Sequence, residues 1–497
     1  MNLLLVTADQ WRADCVSWAP RPLVRTPVLE RLASDGVAFL CHFGQATPCA
    51  PARASLYTGM YLFNHRVVSN GTPLDARHRT LAEWLARAGF EPFLFGFTDV
   101  AIDPRIVPAD DPRLRTYEGV AAGFHPECLL LENLDAWLDH LEERGYGRLS
   151  REEVYDVPLG AAAPFRAEDS ETAFLTDRFL AWLERAPRQP WFAHLSYIKP
   201  HPPWVLAAPW NRAVAPGQMP EPLRAPAVEA EAAVHPWLAA CLQRRRDNWI
   251  GRVSGKAGSL SRSDEQRLRA LYAGAVREID HHLGRVFEAL ARRDLLDRTL
   301  VVVTSDHGEL LGDHWLWNKD SFHPEAFRVP LVIRDPRARA RGRRVTAFTE
   351  HVDLFPTICE RLGLEAPLQC DGYSLAPFLD GEQPANWREA AVYEFDFRDH
   401  ARRYYEEWFG LEPDACQLMV RYGPRHALVH FLALEPLLVD LRRDPGWQCN
   451  QARSGRAGRT LLEATARLLS FRMFRNERRL TGVVLTPDGP KGRFDRA

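Results

Sequence analysis

The sequence predicts an α/β fold: a central, mostly parallel sheet sandwiched by helices, with a smaller C-terminal α+β subdomain. Continuous apolar runs of strand length alternate with amphipathic stretches, the pattern of strands buried on both faces by crossover helices. Beyond about Trp387 this alternation gives way to short strands and one helix. At 497 residues the chain is also longer than a single core usually supports. The predicted division is a main domain over 1–386 and a subdomain over 387–497.

Asn2–Thr7 reads as a short buried strand, and Thr26–Asp35 as a helix with Val28, Leu29, Leu32 and Ala33 on one stripe. Arg79–Ala88 is a helix stopped by Gly89, and Glu91–Gly96 returns as a strand. Trp191–Tyr197, Leu300–Thr304 and Val329–Ile333 are further apolar strands, the second preceded by a long helix at Asp264–Arg292. Residues 103–166 are rich in Pro, Gly, Asp and Arg and lack a clear period, which suggests an insertion or lid. Gly217–Ala227 is a loop. In the subdomain, strands at Ala427–Ala433 and Leu437–Leu441 precede a helix from about Thr460 to Arg475. His281-His282 in the long helix reads as a solvated face, not a ligand pair.

The composition is that of a soluble globular protein, 46% hydrophobic and 26% charged, with net charge −2. That balance makes no electrostatic case for nucleic acid or a membrane surface as partner, though a few cations can still be focused on a small anion. The nine cysteines are scattered without a C-x-x-C pair, which argues against a disulfide framework and a structural zinc site. The N-terminus lacks the basic region of a signal peptide. No run approaches the roughly 20 apolar residues of a membrane span. The expected compartment is the cytoplasm.

Polar clusters follow three of the strands: Asp9-Gln10, Lys199-Pro200-His201, and Asp306-His307-Gly308-Glu309. Strand ends of this kind open the ligand crevice of a doubly wound sheet. Asp9, Gln10, Asp306 and His307 combine hard oxygens, an amide and one imidazole, a set that suits one divalent cation, Mn²⁺ or Ca²⁺. Loop turns and helix caps are the plain alternative for the aspartates. Cys49, in TPCAPARASLYTG, precedes a helix that Pro51 can start and Gly59 can end. A buried thiol accounts for that segment as well as a reactive one does.

Taken together, CAPARASLYTG, ADQWRAD, SDHGELLGDHWLWNK and YIKPHPPW resemble the alkaline phosphatase superfamily. Within it they resemble the formylglycine-dependent sulfatases and phosphonate monoester hydrolases. The resemblance extends over the chain through HRVVSNGTPLD, RVPLVIRD and YEFDFRD, and is nearest to the phosphonate monoester hydrolases. It implies an alkaline-phosphatase-like catalytic domain and a nucleophile made when a maturation enzyme oxidises Cys49 to formylglycine. It implies that Arg53 holds that nucleophile and that Asp9, Gln10, Asp306 and His307 bind the metal with the formylglycine oxygen. His201 would be the general acid, while Lys319 and Asn70 would contact anionic oxygens of a small ester substrate. Lys199, Thr98 and Asp99 are further candidate substrate contacts, and a homo-oligomer, a tetramer, is implied.

Gln10 stands where many sulfatases carry a second Asp, and Phe97-Thr98-Asp99 lacks the Lys and His those enzymes place after the same strand. Phosphonate monoester hydrolases commonly have hydroxyl-bearing residues at the outer two of these three positions, so the chain departs from both patterns. Asp99 could repel a dianion, attract a cation or serve as a turn residue. The resulting expectation is hydrolysis of phosphonate monoesters and phosphate diesters. An aryl- or choline-sulfatase-like activity is the alternative, and an unmodified, catalytically silent anion binder is the second.

Overall fold

The computed structural model describes residues 1–244, 246–250 and 253–495. Its strands are β1 (Asn2–Ala8), β2 (Val37–Phe43), β3 (Ala46–Thr47), β4 (Glu91–Gly96), β5 (His125–Leu129), β6 (Trp191–Tyr197), the ribbon β7 (Arg246–Ile250) and β8 (Val253–Gly255), β9 (Thr299–Thr304), β10 (Arg328–Arg334), β11 (Arg343–Glu350), β12 (Ala391–Asp396), β13 (Gln417–Tyr422), β14 (His426–Phe431) and β15 (Leu437–Asp440). A last ribbon pairs Val484–Thr486 with Gly489–Lys491.

Eight strands build the large sheet in the order β11-β2-β10-β9-β1-β6-β4-β5. Neighbours run parallel except at β10, which is antiparallel to both β2 and β9. β1 is buried along its whole length. Leu4, Val6 and Ala8 face a layer that includes helix α1 (Pro27–Asp35) and the long helix Arg262–Arg292. Leu3 and Leu5 face the opposite layer, which includes α2 (Cys49–Thr58). Both faces being dry is why the central strands are continuous apolar runs.

The registers set the working edge. Thr7 stands opposite Ser196 on β6 and Thr304 on β9, so the segments after these three strands leave the sheet together. β4 closes on the same edge through Gly96: a Cβ there would lie 2.0 Å from the Ser196 carbonyl oxygen.

The smaller sheet has the order β15-β14-β13-β12-β3. Its last strand, β3, belongs to the N-terminal part of the chain and immediately precedes Cys49. Helix Gly458–Phe474 packs Leu468 against Val392, Leu428 and Leu438 of this sheet.

Two expectations need correction. Residues 103–166 are not wholly an insertion, because β5 is the edge strand of the large sheet and helices Asp135–Leu141 and Arg151–Tyr155 follow it. An edge strand with one half exposed leaves no continuous apolar run to read. His282 is buried, unlike its neighbour His281, so the pair is not a solvated face.

Candidate active site

Cys49 is the first residue of α2 and is buried, with Sγ 3.3 Å from His307 Nε2. The Ala50 N–H of this first turn donates to Asn70 Oδ1 at 3.0 Å. A helix N-terminus favours an anion, yet burial and the Asp9 carboxylate push the thiol well above its ordinary value. The encoded side chain is therefore held as a protonated thiol, a poor nucleophile. In an oxidised protein, Sγ marks the place of the formylglycine oxygen.

Asp9, Cys49, Asp306 and His307 bring one ligand atom each within 4.8 Å of one another, all buried. His307 Nδ1 donates to the Gly308 carbonyl at 3.0 Å, which leaves the Nε2 lone pair facing Cys49, Asp306 Oδ2 at 3.7 Å and Asp9 Oδ1 at 3.8 Å. Asp9 Oδ1 is buried without a hydrogen-bond partner. Burial and the nearby Asp306 charge raise the Asp9 carboxyl well above the usual range. At Asp306, burial acts the same way, but His307, Arg53 and the Gln10 and His307 N–H groups hold the carboxyl below its ordinary value.

Gln10 is oriented by its neighbours. Its amide nitrogen donates to Glu309 Oε2 and, at 3.3 Å, to Asn318 Oδ1, while its Oε1 accepts from Lys319 Nζ at 2.7 Å. Its backbone is left-handed, φ 68°, and is tied down by Tyr272, whose hydroxyl donates to the Gln10 carbonyl at 2.7 Å. Two aspartates, an amide oxygen, a free imidazole nitrogen and an orphaned carboxylate oxygen fit a hard divalent cation.

Arg53, one helical turn after Cys49, is fully buried. Nε meets Asp306 Oδ2 at 3.0 Å and a terminal nitrogen meets Asp9 Oδ2 at 3.3 Å. The other terminal nitrogen donates to Ser196 Oγ and the Phe97 carbonyl, and the guanidinium lies 4.0 Å from the Phe97 ring centroid. Arg53 thus braces the two aspartates. His201 Nδ1 donates to the Pro202 carbonyl at 2.6 Å, so Nε2 is the acceptor facing Lys319 Nζ at 3.0 Å. Burial, and then the Lys319 charge, hold that imidazole neutral, well below its ordinary pKa. Lys319 stays charged: burial works against it, but nearby acidic groups, Asp9 and Asp306 among them, raise its pKa.

The structure does not bring every candidate to the cluster. Lys199 pairs with Glu171 at 2.9 Å and donates to the Pro203 carbonyl, so its charge is neutralised inside the fold. The Thr98 hydroxyl donates to the Gly119 carbonyl and accepts from the Ala121 N–H, both at 2.8 Å, and ties down a loop. Asp99 lies beside the cluster in a left-handed conformation, φ 52°. Sequence reasoning assigned no role to Glu309, although it stands in the DHGE run. Tyr272 carries no local signal, being one aromatic on a long helix.

The sulfatase family model matches residues 1–364, and the C-terminal model of N-sulphoglucosamine sulphohydrolase matches 312–454. The chain belongs to the sulfatase family of the alkaline phosphatase superfamily, whose members use a divalent metal and a formylglycine. Among its relatives, the multifunctional alkaline phosphatase superfamily protein PehA of Trinickia caryophylli is 38% identical, over 98% of either chain. The phosphonate monoester hydrolase of Agrobacterium radiobacter superposes with TM-score 0.96 at 43% identity, over 99% of this chain and 100% of that one. That of Silicibacter pomeroyi gives 0.93 and 38%, over 99% of either chain.

Proposed function

We propose that the protein is a metal-dependent hydrolase of phosphonate monoesters and phosphate diesters, with a formylglycine derived from Cys49 as nucleophile. One observation carries this reading: a buried Cys49 at a helix start, facing an acidic and imidazole cluster that Arg53 braces. Full-length similarity to phosphonate monoester hydrolases supports the phosphorus substrate.

Asp9, Gln10, Asp306 and His307 would hold one Mn²⁺ or Ca²⁺, which when bound supplies Lewis-acid stabilisation of charge on a nonbridging oxygen. A hydrated formylglycine at position 49 would supply one hydroxyl to attack phosphorus as the alcohol leaves, and a second that would give up its proton as the C–O bond to phosphorus breaks, releasing the phosphonate or phosphomonoester and restoring the aldehyde. Lys319 places a positive charge where nonbridging oxygens gain negative charge. It shares a hydrogen bond with His201 Nε2, so the two act as one unit that delivers a proton to the leaving alkoxide. Asn70 holds the first helical turn, with its amide nitrogen left to meet the substrate.

We place the protein in the cytoplasm as a homotetramer matured by a formylglycine-generating enzyme. Exposed apolar residues on the C-terminal helix and tail, Leu469, Met473, Phe474, Leu480 and Leu485 among them, support the oligomer.

The test is mass spectrometry of the peptide carrying residues 49–53, after co-expression with a maturation enzyme, joined to rates on an aryl phosphonate, an aryl phosphodiester and an aryl sulfate. The expected result is a converted residue 49 and faster turnover of the phosphorus esters. An intact thiol with no turnover would mean a silent anion binder, and a sulfate preference would make the enzyme a sulfatase.

A further inference from the structure

Asp99 feels two sets of charges. Arg53, Cys49, Asp9 and Asp306 of the cluster each interact with it electrostatically. The residues on either side of it, Thr98 and Val100, both donate to the Gly119 carbonyl, at 2.8 and 3.2 Å, which ties Asp99 to the segment carrying Glu118; Glu118 in turn accepts the Glu132 N–H, and both carboxylates act on Asp99. Its side chain is all but inaccessible, 4% exposed, and Oδ1 receives no hydrogen bond. Arg53, the cation that acts on it most strongly, is already committed to Asp306, Asp9, Ser196 and the Phe97 carbonyl.

A carboxylate shed of water and given no donor is costly, and burial lifts this one to about 7. Its acidic neighbours add to the cost. Glu118 accepts the Glu132 N–H at 2.5 Å, and Arg151 acts on it as a counter-charge. All three carboxylates act on the Tyr117 phenol, Glu132 most strongly after burial. The Tyr117 Cβ comes within 3.5 Å of the place a Cβ on Gly71 would take, and the preceding Asn70 holds the nucleophile helix. The patch therefore borders the reacting centre.

A chelated metal ion does not suit this patch. Among the described residues, the groups drawing three or more ligand atoms within 4.8 Å are Asp9, Cys49, Asp306 and His307, and separately Glu231, His314 and His323; Asp99 is in neither. Dispersed carboxylates beside a phenol suit a bulky organic cation, which is held by diffuse negative charge and an aromatic face.

We propose that Asp99 determines substrate specificity, and that with Glu118, Glu132 and Tyr117 it binds an ammonium group on an organic arm of the ester. This rests on the hydrolase reading above and adds the class of ester.

The test compares kcat/KM for 4-nitrophenyl phosphorylcholine with that for 4-nitrophenyl 3,3-dimethylbutyl phosphate, in which carbon replaces the quaternary nitrogen. The parent should favour the cationic ester roughly tenfold, the scale of one desolvated cation–aromatic contact with added charge. Asp99→Asn and Asp99→Thr should bring the ratio close to one. Glu132→Gln, on an exposed side chain that the fold does not need, should lower it in part. A parent ratio below about threefold, or a ratio untouched by the Asp99 variants and by Glu132→Gln alike, overturns the proposal. If the parent cleaves neither phosphodiester, the phosphorus reading alone fails. The same ratio is then measured on choline sulfate and 3,3-dimethylbutyl sulfate, with the same threshold.

Discussion

Gln10 ends in an amide whose oxygen and nitrogen have nearly the same shape, and its neighbours decide which way round it sits. Glu309 is an acceptor only, so it takes the nitrogen; Lys319 is a donor only, so it takes the oxygen. Glu309→Ala removes the first of these constraints. Affinity for a divalent ion should then fall roughly 10- to 100-fold, the usual effect of losing a partner that orients a ligand. Titration calorimetry of the metal-stripped protein measures it, and an unchanged affinity would show that Glu309 orients nothing. At this scale the sequence singled out Asp9, Cys49, Asp306 and His307, because each stands at a strand end or helix start, and the fold brings these four together. It singled out Lys199 and Thr98 as well, and could not show that Glu171 and the Gly119–Ala121 loop engage their polar atoms.

The turn that carries Lys319 is strained, with φ of 52° at Leu311, 56° at His314, 59° at Trp315 and 66° at Asn318. Such conformations persist only where surrounding contacts dictate them. His314 is the pin: Nδ1 lies 3.0 Å from Glu231 Oε1, Nε2 lies 3.7 Å from Glu325 Oε2, and its ring stacks on His323 with centroids 3.6 Å apart. The two rings lie 6° from parallel, so their in-plane lone pairs do not converge, and the group reads as a buried ion pair instead of a second metal site. Burial opposes the charge, but Glu231 and Glu325 raise this imidazole to about 10. Its stabilisation is therefore complete below about 6.5, the unfolded value, and is lost as pH rises through 10. His314→Gln should destabilise by about 3 kcal/mol at pH 6. That difference should shrink towards pH 10 in urea melts, and a pH-independent gap would show that the ring is neutral in the fold.

Across the whole molecule, two sheets meet at Cys49. β3 pairs with β12 of the small sheet, and two residues later α2 begins with Cys49, so the subdomain anchors the approach to the catalytic helix. The chain's far end is different in kind. Leu469, Met473, Phe474, Leu480, Val484 and Leu485 are between 58% and 82% exposed, an apolar surface that a lone copy would leave wet. Deleting residues 476–497 should lower the solution mass measured by light scattering. A parent already running at the 56.6 kDa of one chain would remove the oligomer from the proposal.

The sequence by itself determined the α/β alternation and the chemical types at the strand ends. Apolar periodicity and side-chain chemistry are local properties of the chain. Which of those ends converge was a tertiary decision. β9, β1, β6 and β4 lie side by side in parallel register, and that brings Gln10 to Asp306 across 296 residues. The same packing left His201 facing Lys319 and turned Lys199, two residues away, towards Glu171. No local pattern specifies such a choice, because it depends on which partner charge the folded chain places within reach.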